Sequence, residues 1–191
     1  MFGIHERGKE IPKLTRDLSK RLIYCVLYGG GAKKTGSIIA PKESEHKQYE
    51  RGKKTIDTFY QNLPAIKQLK DKVESTLSKR DYLIGIDGRH LQIRSKHSAL
   101  NQLLQSTGAI TVKKATTILY DDMTDKGLKF FKDWGFVAHV HDEYQCLLRP
   151  EYTDLFQELA IDSFRKSGEY FKLKCPLTGE AKIGKNWCET H

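Results

Sequence analysis

Asp87-Gly88 stands between two short runs, Tyr82–Ile86 and His90–Arg94. An Asp-Gly pair in that setting is a strong hairpin signal, because glycine takes without strain the positive φ that a tight reversal demands. A second hairpin is expected from Phe136–Val140 and Tyr144–Leu148, with His141, Asp142 and Glu143 at its tip. The rest of the chain carries a helical period. Pro12 and Thr15 offer a helix start, and Leu14, Leu18, Leu22, Cys25 and Val26 recur at helical spacing until Gly29, Gly30 and Gly31 stop it. Glu43–Gln61 and Ala65–Lys79 read as two helices joined at Pro64. Ser98–Met123 is long enough for a helix of several turns, with Gly108 as a place for a bend, and Glu151–Lys166 reads as a further helix. Tyr170–Lys174 reads as a strand. Hairpins set among helices are compatible with an α/β (α+β) class without establishing it, and no repeat or low-complexity linker divides the chain.

With 33 Lys and Arg against 24 Asp and Glu, the net charge is +9, which favours polyanionic partners and puts nucleic acid first among them. The 191 residues, 38% hydrophobic, can bury one core and a smaller lobe. Cys25, Cys146, Cys175 and Cys188 show no CxxC spacing, so neither a zinc knuckle nor a disulfide framework is indicated. His139, His141, Cys175, Cys188 and His191 likewise lack zinc-ligand spacing. Met1–Lys9 has no apolar targeting region, and no stretch approaches the roughly 20 apolar residues of a membrane span. A cytoplasmic location without a membrane partner is expected.

The first helix has two distinct faces. Arg16, Lys20, Tyr24 and Tyr28 are four residues apart and form a drifting stripe about 120° wide. Measured from Arg16, the apolar residues fall between about 160° and 280°, on the other side. Arg16 offers a planar fork for phosphate oxygens and Lys20 a point charge, both near the positive end of the helix dipole. Tyr24, one turn on, offers a ring for a base. An ordinary solvated helix with half-buried tyrosines would use the same residue types.

The second hairpin, FVAHVHDEYQCLL, sets Asp142 and Glu143 on an apolar support that can fix acidic side chains in place. Carboxylates held this way suit magnesium, although hairpin tips favour polar residues without any function.

Two motifs in order carry a resemblance. Arg-x-x-x-Lys-x-x-x-Tyr-x-x-x-Tyr-Gly, here TRDLSKRLIYCVLYGGG, resembles motif B of family A DNA polymerases, and His-Asp-Glu resembles their motif C. GIDGRHLQIRSKHSALNQLLQSTGA and the tail GKNWCETH resemble the corresponding segments of short-tailed phage replicative polymerases. The resemblance runs from about His5 to His191 and implies helical fingers over residues 1–79, with the fingers base and a palm of antiparallel hairpins over 80–191. It implies that His5, Arg16, Lys20 and Tyr24 bind the incoming deoxynucleoside triphosphate. Tyr28, Arg89, Asn101, Gln105 and His141 would contact primer-template DNA. Asp142 would be the metal-binding aspartate for two Mg2+ ions, with Glu143 accessory, and the candidate catalytic residues are Asp142, Glu143 and Lys20. Asn101 and Gln105, four apart on a helix, project together, and their amides can donate and accept at minor-groove base edges. Trp187 is expected to pack, with His191 as at most a supporting group near the palm.

No Asp-x-Ser/Gly-x-x-Glu element of motif A occurs in the sequence, and no thumb or exonuclease segment is recognisable. One carboxylate cluster cannot hold two divalent ions at their usual separation of about 3.5–4 Å. The expectation is therefore one half of a split polymerase, whose upstream partner chain carries exonuclease, thumb and the other catalytic aspartate. Two alternatives stand beside it: a non-catalytic module that holds DNA or nucleotide, and a shortened form of a longer polymerase.

Overall fold

The computed structural model describes residues 15–140 and 142–190. Despite the absence of a linker in the sequence, the chain gathers into two compact units. One holds the described residues up to Leu83 together with His90–Leu103, and the other holds Ile84–Arg89 and the described residues from Leu104 onward.

In the first unit, α1 (Arg16–Leu27) starts on Thr15, whose hydroxyl accepts from Leu18 N at 3.3 Å. Gly31 opens α2 (Ala32–Ile39), a helix too short to announce itself by periodicity. It packs against α3 (Glu45–Asn62) through two buried glycines. A Cβ on Gly36 would collide with the Gln48 carbonyl, and one on Gly52 with the Ala32 carbonyl, so the two backbones touch where side chains normally stand. Gln48 strengthens the junction by donating to the carbonyls of Ala40 (3.2 Å) and Glu43 (3.0 Å) just beyond α2. Pro64, at the first position of α4 (Pro64–Leu77), lacks a donor where none is needed. Val73 and Leu77 of α4 form a core with Leu83, Ala99 and Leu100.

The Asp-Gly hairpin forms from β1 (Tyr82–Ile84) and β2 (His90–Gln92), with Gly88 at φ 84°. A single helix, α5 (Ala99–Asp125), follows and passes Gly108 without interruption.

The core of the second unit sits between α5, the hairpin β3 (Trp134–Val140) and β4 (Glu143–Leu148), and α6 (Thr153–Tyr170). Thr111, Ala115, Leu119 and Met123 make a buried stripe along α5 at intervals of four. Small residues on α6, notably Ala160, Ser163 and Ser167, let the helices approach, and Ser167 Oγ donates to the Thr111 carbonyl at 2.7 Å. Trp134 and Phe136 pack edge-on at 5.1 Å beside Phe156.

The strand expected at Tyr170–Lys174 is absent. α6 continues to Tyr170 and closes through Lys172 N to Glu169 O and Leu173 N to Gly168 O, with Lys172 in the left-handed region at φ 54°. These terminal bonds use the backbone groups that a strand would have offered. The tail ends in α7 (Trp187–Thr190). Among the described residues, no helix is long and apolar enough to cross a membrane.

Candidate functional site

The stripe on α1 exists as the spacing demands. Arg16, Lys20, Tyr24 and Tyr28 are all exposed, whereas Leu22, Cys25 and Val26 are buried. Tyr24 and Tyr28 stack at 5.4 Å with their rings 15° apart, so the two make one flat aromatic step. Among the described residues neither Arg16 nor Lys20 enters an ion pair, which leaves both charges available at the amino end of the helix. The helix is anchored from behind by Cys25 Sγ, 3.7 Å from the Thr35 hydroxyl of α2. It stops at Gly29, which has φ 79° and whose missing Cβ leaves room for the His97 carbonyl. A larger residue there would be strained in both respects.

In the second unit, Val140 pairs with Glu143, so the strands run to the very end of the hairpin and Asp142 stands exposed in the turn between them. The register slips between Phe136 and Ala138, and Val137 is left 62% exposed. Support for the tip comes from below. Tyr144 stacks on Phe164 at 5.8 Å with the rings nearly parallel, and its hydroxyl donates to the Ala160 carbonyl at 3.4 Å. Burial pushes the Tyr144 phenol up to about 12 and the Cys146 thiol likewise to about 12. Both therefore stay protonated at neutral pH and serve the packing.

Glu143 accepts a hydrogen bond from Gln145 Nε2 at 3.4 Å, and Gln145 Oε1 in turn accepts from the Thr190 hydroxyl at 3.1 Å. Sequence reasoning passed over Gln145 and Thr190. The only available signal was alternation along β4, which places residues 143 and 145 on one face.

Arg89 is held within its own turn by Asp87, through Nε to Oδ2 at 2.6 Å, and its side chain remains exposed. Asn101 and Gln105 both lie on α5, one turn apart. The Asn101 Oδ1 atom is buried without a hydrogen-bond partner among the described residues. His5, His141 and His191 lie outside the described residues. Trp187 is half-exposed. No group of three or more His, Cys, Asp and Glu side chains gathers for a metal among the described residues.

Comparison with known proteins adds a family assignment. A family model described as DNA polymerase family A matches residues 1–189. The DNA-directed DNA polymerase of Enterobacteria phage T3 is 35% identical over 206 aligned residues, covering 98% of this chain and 28% of the relative. That of Escherichia phage T7 gives the same figures. The chain thus spans a little over a quarter of the length of these relatives. Among solved structures, the POL domain of Pol1 from M. smegmatis, in complex with DNA primer-template and dNTP, aligns with a TM-score of 0.67 at 19% identity. It covers 81% of this chain and 28% of that one, a likeness of fold.

Proposed function

The chain belongs to DNA polymerase family A, and from that premise we propose that it supplies the nucleotide grip and one carboxylate cluster of a template-directed DNA polymerase. The observation that carries this reading is the α1 stripe, where two exposed cations with no ion pair among the described residues are followed by an exposed pair of stacked tyrosines. Arg16 and Lys20 hold the triphosphate, Lys20 neutralising charge on the reacting phosphates. Tyr24 lies over the nascent base pair and Tyr28 beside the templating base. His5 joins the triphosphate contacts and His141 the primer terminus. Arg89, Asn101 and Gln105 follow the duplex, the two amides offering donors and acceptors of the kind that minor-groove base edges take.

Asp142 is exposed and oxygen-bearing beside a second carboxylate, which fits a Mg2+ ligand. Mg2+ ions, when bound, stabilise the charge that develops as the primer hydroxyl displaces pyrophosphate. Glu143, steadied by Gln145, is an accessory carboxylate. A second metal-binding aspartate would be supplied by a partner chain carrying exonuclease, thumb and motif A.

Primer extension tests this directly, with the chain alone and mixed with the upstream part of a family A polymerase. Extension is expected only in the mixture, and Asp142→Asn should remove it while primer-template binding persists. Efficient extension by the chain alone refutes the need for a second chain. DNA binding with no extension from any assembly favours a non-catalytic binding module.

A further inference from the structure

The second unit contains an open groove of about 740 Å³ between α5, the Asp87 turn and the carboxyl end of α6. Its charge is one-sided. Arg89, Lys113, Lys114 and Lys172 line it against a single acid, Asp87, which Arg89 already occupies. Lys113 and Lys172 enter no ion pair among the described residues, and Lys114 lies over the ring of Tyr170 at 4.3 Å. Tyr170 as a residue is 63% exposed even with the lysine against its ring.

The groove lies on a different side of α5 from the amide assigned to the duplex. Ile110, Lys113, Lys114 and Thr117 line it at intervals of three and four residues, and Gln105 sits about 130° around the helix from their mean direction. Arg89, assigned to the duplex, also lines this groove, but DNA reaching Gln105 does not account for Lys113, Lys114 and Lys172.

Lys172 supplies a second, independent observation. It closes α6 in the left-handed region, φ 54°, a place that glycine fills without strain. A lysine there stands against backbone preference, and Lys172 is one of the residues that line the groove.

We propose that this groove is a second nucleic-acid site that binds single-stranded DNA, with phosphates on Lys113, Lys114 and Lys172 and a base on Tyr170. An exposed tyrosine beside lysines that enter no ion pair among the described residues, in an open trough, matches the way single strands are held without sequence preference, by stacking plus a basic track. An acidic protein would use the cations but would have no need of the ring.

The test uses the full chain, a labelled twelve-residue oligo-dT and fluorescence anisotropy over a salt series. Lys113→Ala/Lys114→Ala/Lys172→Ala should weaken binding at least about tenfold and lower the log–log salt slope by about 2, three contacts at roughly 0.7 each. Tyr170→Leu should weaken it severalfold with the slope unchanged. Lys172→Gly separates binding from folding: the melting temperature should hold or rise while affinity falls. Primer-template binding should change little in all of them. Unchanged oligo-dT affinity in the triple variant overturns the proposal. So does a poly-glutamate peptide that displaces oligo-dT at equal charge concentration while Tyr170→Leu binds as the parent does, because the groove would then be a surface for acidic protein.

Discussion

Substituting alanine for glycine inside a helix ordinarily stabilises it by about 1 kcal/mol, because glycine loses more backbone freedom on folding. The structure reverses that sign at Gly52 and keeps it at Gly108. At Gly52 a Cβ would overlap the Ala32 carbonyl and stand 2.7 Å from the Gly36 nitrogen, where ordinary contact begins at 3.4 Å. α2 must therefore retreat from α3 by at least 0.7 Å, the difference of those two distances, and further for the carbonyl. Gaps of that size forfeit a quarter to a half of each dispersion contact along the interface. Overpacking of this kind costs about 1–3 kcal/mol, enough to cancel the propensity gain and leave Gly52→Ala destabilised by up to about 2 kcal/mol. At Gly108 nothing lies within 4 Å of the added carbon, so Gly108→Ala should gain about 0.5–1 kcal/mol. Urea titration followed by circular dichroism measures both. Because α2 anchors α1 through Thr35 and Cys25, Gly52→Ala should also weaken deoxynucleoside triphosphate binding, and Gly108→Ala should not. A Gly52→Ala protein more stable than its parent by the ordinary propensity gain of about 1 kcal/mol would refute the backbone-contact argument.

Alkaline pH should destabilise the second unit. The unfolded chain releases the Cys146 proton near 9 and the Tyr144 proton near 10, whereas the folded unit holds both to about 12. Stability should therefore fall from about pH 9 to 12, by at most about 1.4 kcal/mol per pH unit per group and less for their partial exposure. Cys146→Val should flatten the early part of that fall in urea melts. Lys166 joins α6 to α5 through Asp122 at 2.8 Å and also meets Asp162 at 3.2 Å. Its pKa is raised chiefly by the Asp122 hydrogen bond, and that of Asp162 is lowered chiefly by Arg165. The lysine's contribution is complete below its unfolded pKa and is lost as pH rises through the folded value. The aspartate's is complete above its unfolded pKa and is lost as pH falls through the folded value. Lys166→Ala should accordingly cost under about 1 kcal/mol, most at neutral pH and less in 0.5 M salt, as melting curves will show. In the assembled polymerase, Arg16→Lys should raise KM for deoxynucleotides by about tenfold, the worth of a lost bidentate contact. Steady-state extension kinetics measure this, and an unchanged KM would remove Arg16 from the triphosphate site.

What the sequence revealed followed from local rules. The α1 stripe was legible because a period of four residues on a helix needs no tertiary information, and Thr15 and the three glycines mark its ends. The Asp87-Gly88 hairpin was legible for a similar reason, since its turn conformation is set by two residues. Tertiary choices were hidden. Tyr170–Lys174 has the residue types of a strand, but a strand needs a partner, and the backbone groups of this segment close α6. α2 escaped notice because its stability depends on bare backbone at Gly36 and Gly52, and a glycine in sequence does not say what will be laid against it. The link from Thr190 through Gln145 to Glu143 joins residues 45 and 2 positions apart, and neutral side chains advertise no such connection. Charge pattern and periodicity thus expose the side chains that face a ligand, while the residues that hold those side chains still emerge only from packing. The same division explains Lys172. In sequence it is one of many lysines, and only its left-handed backbone beside an unneutralised groove makes its charge informative.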